Sequence, residues 1–230
     1  MGWAVKSRHS TIIVSRHGQQ VLSSIEKRDW KSLNDMLLHD VKEYSTVHKI
    51  LSRNKGQFGY TIEEICIRGK EIELNRVVCE SCLDWSIRLR TIQRNLFTKG
   101  DCSRFYSVSP RVSFRRFTHS VLSAYEALNS RSKALARFVS IAELREAVCE
   151  HNRIPRALFD GMLGEIVKKR PGLIELTSTP VTSKARRAPL VDQYLTVDCS
   201  SAILSPQLDS SILEGFRFRD RLYDMVAIHS

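Results

Sequence analysis

The chain lacks most marks of a secreted, membrane-anchored or conventional catalytic protein. Six cysteines scattered through 230 residues are too few for a disulfide scaffold and suit a reducing compartment. No stretch approaches the ~20 apolar residues a membrane span needs. Residues 1–10 include basic side chains but no apolar run follows them, so no signal peptide is expected. The expected location is intracellular, in cytoplasm, nucleoid or nucleus, with no membrane partner. Catalytic motifs are missing too. Gly69-Lys70 lacks the upstream glycine of a phosphate-binding loop, and neither Gly-x-Ser-x-Gly nor His-Glu-x-x-His occurs. The seven histidines fall at no ligand spacing. A non-catalytic protein without a cofactor is expected.

Acidic residues are in deficit. Thirty-six Lys and Arg face 25 Asp and Glu, a formal net charge of +11, which favours a polyanionic partner. The deficit is concentrated. Over residues 86–117, Asp101 is the single acid among Arg88, Arg90, Arg94, Lys99, Arg104, Arg111, Arg115 and Arg116. Cys79-x-x-Cys82 is the one spacing that suggests a metal or redox site, and Cys66 and Cys102 could complete four thiolates. A second pair at that spacing is absent and Cys82 falls on the apolar face of a predicted helix, so no metal is assigned. Cys149 beside His151 has core spacing around it and reads as packing.

Apolar periodicity organises the rest. Residues 10–14 (Ser-Thr-Ile-Ile-Val) form a β-branched run and predict a strand. Val21, Leu22 and Ile25, then Trp30, Leu33, Met36 and Leu37, then Val41, Tyr44, Val47, Ile50 and Leu51, predict amphipathic helices. Thr61-Ile-Glu-Glu64 can form a capping box opening a short helix that stops near Gly69. A longer helix is expected from Glu71 through Trp85, then a β-hairpin built from 87–92 and 104–108 about Lys99-Gly100-Asp101. The order then recurs. A helix over 121–128 precedes a capping-box candidate at Ser140/Glu143. Pro155 stands at a first helical position, and apolar spacing runs from Leu158 to Val167. Strands are predicted at 173–177 and 193–197. A possible helix covers 212–228.

Three helices and a β-hairpin, twice over, resemble the winged-helix architecture, a variant of helix-turn-helix. The second copy, Phe117–Val197, is the better match, with its helix-turn-helix at Ser140–Lys169 and its wing at Ser178–Pro189. The first copy is Asp40–Pro110, and Trp3–Leu22 is similar to a remnant of a third. The expected fold is therefore α+β and mostly α, divided as 1–39, 40–110, 111–197 and a C-terminal arm, 198–230. The resemblance implies a third helix in the major groove and wings on the backbone or minor groove. Carried onto this sequence, it points to Arg153, Arg156, Lys168 and Lys169 on or beside the reader helix, and to Lys184, Arg186 and Arg187 in its wing. In the first hairpin it points to Arg88, Arg90, Arg94, Lys99 and Arg104. Double-stranded DNA is the expected partner. The same architecture also serves protein–protein contacts, so partner subunits or a homodimer stay open, as does RNA. Structural roles compete at each position. Lys168–Arg170 suit a helix C-terminus, Asp160 and Glu165 offset Arg156, and charged residues protect strand edges.

Overall fold

A computed structural model describes residues 4–6, 12–98, 100–131, 137–178 and 215–229. The protein is α+β and mostly helical, with small antiparallel sheets. A hairpin of β1 (Ala4–Lys6) and β2 (Ile12–Val14) leads into α1 (Arg16–Glu26), α2 (Trp30–Asp40) and α3 (Lys42–Ser52). Local chemistry sets the helix starts. Ser15 Oγ accepts from Gly18 N–H at 3.0 Å, and Asp29 accepts from Ser32 N–H at 3.1 Å. The expected capping box opens α4 (Ile62–Arg68): Glu64 N–H donates to Thr61 Oγ1, and Thr61 N–H donates to the Glu64 carboxylate. Then come α5 (Arg76–Arg88), β3 (Ile92–Arg94), β4 (Phe105–Ser107), α6 (Phe114–Arg131), β5 (Val139–Ser140), α7 (Ile141–Asn152), α8 (Arg156–Lys169) and β6 (Ile174–Thr177). The described C-terminal part holds β7 (Phe216–Phe218), β8 (Arg221–Tyr223) and β9 (Met225–Ile228).

The halves share one chain path. In the second, β9 lies between β5 and β6 and is antiparallel to both, so the strand latest in sequence is central. In the first, β4 pairs with β3 on one side and with Tyr60 on the other, Tyr60 and Phe105 exchanging backbone hydrogen bonds of 3.0 and 2.8 Å. Each half therefore runs helix, short extended segment, two helices, strand and returning middle strand.

Each half also has its own core. Val21, Leu33, Tyr44, Val47, Ile65 and Leu83 anchor the first, so α1 and α2 pack in the same core as α3–α5. Phe117, Ile141, Leu144, Phe159, Leu163 and Val226 anchor the second. One strand serves both. Neighbouring residues of a strand point to opposite faces, and on β4 Phe105 enters the first core while Tyr106 enters the second. The halves are thus fused across a shared strand.

Several expectations are corrected. Residues 87–88 continue α5, which ends at Leu89 and Arg90, the latter at φ 59°, so only Ile92–Arg94 is strand. The helix starts at Arg76 because Asn75 supplies its cap, and Lys70–Ile72 forms a 3-10 turn. Ser140 makes no capping hydrogen bond, being the last residue of β5. Pro155 is the N-cap of α8, one position before its expected place. The helix expected over 212–228 is absent among the described residues there. Arg219 and Asp220, at φ 49° and 63°, form the tight hairpin turn between β7 and β8 that matches strand twist. Residues 225–228 complete the sheet of the second half. The strand expected at 193–197 lies outside the described residues.

Candidate nucleic-acid interface

Two carboxylates on α7 organise the boundary between the halves. Glu146 and Glu150 are one helical turn apart on one face and are 2% and 1% exposed. Glu150 accepts hydrogen bonds from Gly59 N–H at 2.7 Å and Asn95 Nδ2 at 2.6 Å, and pairs with Arg104 at 2.9 Å. Glu146 accepts from Leu96 N–H at 3.0 Å and takes a two-pronged contact from Arg156, at 2.5 and 2.8 Å. Arg156 also donates to the Arg94 carbonyl at 2.6 Å. Burial alone would lower the Arg156 pKa, but the Glu146 charge and hydrogen bond override it and the net shift is upward. Arg153 donates to the carbonyls of Gly56 at 2.9 Å and Phe58 at 2.7 Å, and burial pulls its guanidinium below the usual range. Gly59 is required here, since a Cβ would lie 2.5 Å from the Phe105 carbonyl oxygen.

This joint claims three of the arginines expected at a nucleic-acid surface. Arg104, Arg153 and Arg156 hold one half to the other. Arg88 pairs with Asp84 at 2.7 Å, and both side chains are largely buried. Arg94 is 8% exposed and donates to the Thr98 carbonyl. Lys168 and Lys169 lie exposed at the end of α8, where Lys169 pairs with Glu165 at 2.8 Å and stands 4.8 Å over the Phe114 ring. Lys168 faces the Phe218 ring at 6.0 Å. Arg90 is exposed. Lys99, Lys184, Arg186 and Arg187 lie outside the described residues.

Neither third helix presents a row of free cations among the described residues. On α5, Arg76 is shared between Glu80 and Asp101. On α8 the exposed line is Ala157, Gly161, Glu165 and Lys169. The β7–β8 hairpin packs on an adjacent flank, with Phe216 3.7 Å and Phe218 3.8 Å from where a Gly164 Cβ would be. Buried Arg145 ties that hairpin down. It pairs with Asp160 at 2.8 Å and donates to the Gly215 carbonyl.

Free positive charge gathers instead beside the joint. A groove of about 680 Å³ opens on the first half, lined by His48, Lys49, Arg90, Ser107 and Pro110, with Pro155 the one lining residue from the second half. Lys49, Arg90, Arg111, Arg115 and Arg116 are exposed, and none has an acidic partner among the described residues. His151 senses this field. Its pKa is lowered first by burial and then by Arg116, Arg153 and His119. Arg111, Arg115 and Arg116 are visible in the sequence as part of the basic stretch, but nothing in their spacing gives them a role. Lys49 has no sequence signal, because the groove joins it to residues more than forty positions away.

Cys79, Cys82 and Cys149 are buried, and burial pushes the Cys82 thiol up to about 11. Among the described residues no three His, Cys, Asp or Glu side chains come together to hold a metal. No described helix is long and apolar enough to cross a membrane. Comparison with protein-family models, curated proteins and solved structures finds no match for the chain.

Proposed function

We propose that the chain is a non-catalytic duplex-DNA-binding protein built of two fused winged-helix units, which grips the phosphate backbone with the basic face beside its joint. The strand order shared by the halves supports the architecture. The observation that carries the function is a set of exposed cations with no acidic partner among the described residues: Lys49 and Arg90, which line the groove together with Pro110, and Arg111, Arg115 and Arg116, which follow Pro110 in the chain. Phosphate contacts fix position without reading sequence, so such a face suits a regulator or the DNA-engaging subunit of a larger assembly.

The triple substitution Arg111→Ala, Arg115→Ala and Arg116→Ala is expected to weaken duplex binding by tenfold or more. It should also flatten the plot of log affinity against log salt by about 0.9 for each phosphate that is no longer neutralised. Arg88→Ala removes an intramolecular pair and should leave that slope unchanged. A folded triple variant with wild-type affinity and slope would refute the proposal. Competition between duplex DNA and structured RNA decides between those partners. The uncharged Ala157–Gly161 line on α8 favours a second reading, a protein-interaction module. Introducing Gly161→Arg there would block a partner while leaving DNA affinity unreduced.

A further inference from the structure

The loop joining α3 to Tyr60 is held far more firmly than an exposed connection requires. Asn54 Oδ1 accepts from Gly56 N–H at 2.8 Å, and Asn54 Nδ2 donates to the Phe58 carbonyl at 3.0 Å. Arg153 reaches across from the second half to the carbonyls of Gly56 and Phe58. Gly59 N–H is held by Glu150. At the end of this pinned loop the Phe58 side chain stays out of both cores and is 51% exposed. The Arg104 guanidinium lies over its ring, 4.4 Å from the centroid. The ring is thus half exposed with a cation against one face.

We propose that Phe58 is a stacking platform for an unpaired nucleobase, making this face a reader of single-stranded overhangs. This rests on the DNA-binding reading above and deepens it. Three features support it. The hydrogen bonds to the loop backbone pre-order the platform, so little conformational entropy is lost when a base lands on it. Arg104 beneath the ring is held in place by its pair with Glu150 and adds cation–π polarisation to the stack. The surroundings suit a phosphate chain: exposed Lys55 lies in the same loop, and Arg153, which grips the loop, is within electrostatic range of His151 together with Arg116. An aromatic face accepts any base, so no sequence preference follows.

The test uses the full chain, a blunt duplex, and the same duplex carrying a short overhang with 2-aminopurine as its first unpaired base. Wild type should bind the overhang more tightly and quench its fluorescence. Phe58→Ala should lose roughly tenfold in affinity for the overhang probe, as removal of one stacked base does, with blunt-duplex affinity unchanged. Phe58→Trp should restore both the preference and the quenching. The ring lies outside both cores, so unchanged thermal unfolding of Phe58→Ala is the check on folding. Equal affinity of Phe58→Ala and wild type for the overhang would overturn the proposal. So would wild-type binding to both probes without preference or quenching, which leaves duplex binding standing. Binding to neither probe would instead defeat the DNA-binding reading and this inference with it.

Discussion

Glu150→Ala should destabilise the folded protein by about 3–5 kcal/mol, the usual cost of removing one partner from a buried ion pair. The carboxylate is 1% exposed and serves three donors: Gly59 N–H, Asn95 Nδ2 and Arg104. Alanine leaves a backbone amide and a side-chain amide buried without their acceptor, and a guanidinium without its counter-charge. Three segments distant in sequence lose their common anchor, so the loss reaches both cores through β4. Urea unfolding measures it. Glu165→Ala removes an exposed carboxylate paired with Lys169 on one helix and should leave stability almost unchanged. Similar small effects for both variants would mean that the joint does not hold the halves together.

The second large effect is a loss of stability on acidification, traced to His48. Its ring packs tilted against Tyr44, with centroids 4.6 Å apart, and its Nε2 lies 2.9 Å from Ser86 Oγ. Burial lowers its pKa from 6.5 to about 4. Between those values the unfolded chain takes up a proton that the folded protein refuses. Stability contributed by the neutral ring is therefore complete above pH 6.5 and drains away as pH falls toward 4. The gap corresponds to about 3 kcal/mol. His17 works in the opposite direction. Its hydrogen bond with Asp40 raises its pKa, so its contribution is present at low pH and is lost as pH rises through the folded value. Comparing wild type with His48→Gln isolates the His48 effect, because His17 is common to both. The two unfolding curves should converge as pH falls from 6.5 to 4. A separation that does not change with pH would eliminate burial of His48 as the cause.

These two groups show what kind of information is local. Residues 42–52 form a helix, with Val41 as its N-cap, because Val41, Tyr44, Val47 and Leu51 recur at helical spacing, and all four are buried as that spacing requires. The Thr61/Glu64 box is legible because its donors and acceptors lie three residues apart. The boundary errors have local causes too: Asn75 outcompeted Glu71 as a helix start, and Arg90 in the left-handed region ended α5 after Arg88. The C-terminal segment misled for another reason. Its apolar residues fit either period, and pairing with β5 and β6 selected the strand.

By itself the sequence determined the helices between residues 16 and 169, the recurrence of their order and a basic surplus concentrated in residues 86–117. Each rests on spacing along the chain or on a sum over it. Only the tertiary structure decided which charges remain available. Glu143, Glu146 and Glu150 look alike on one helix, yet the first is exposed and the others are buried at the joint. Arg104 and Arg111 look alike in one basic stretch, yet Arg104 is consumed by a carboxylate 46 positions away while Arg111 is exposed without an acidic partner among the described residues. A charge is neutralised by whatever folding brings within about 4 Å of it, and no spacing along the chain records that neighbour.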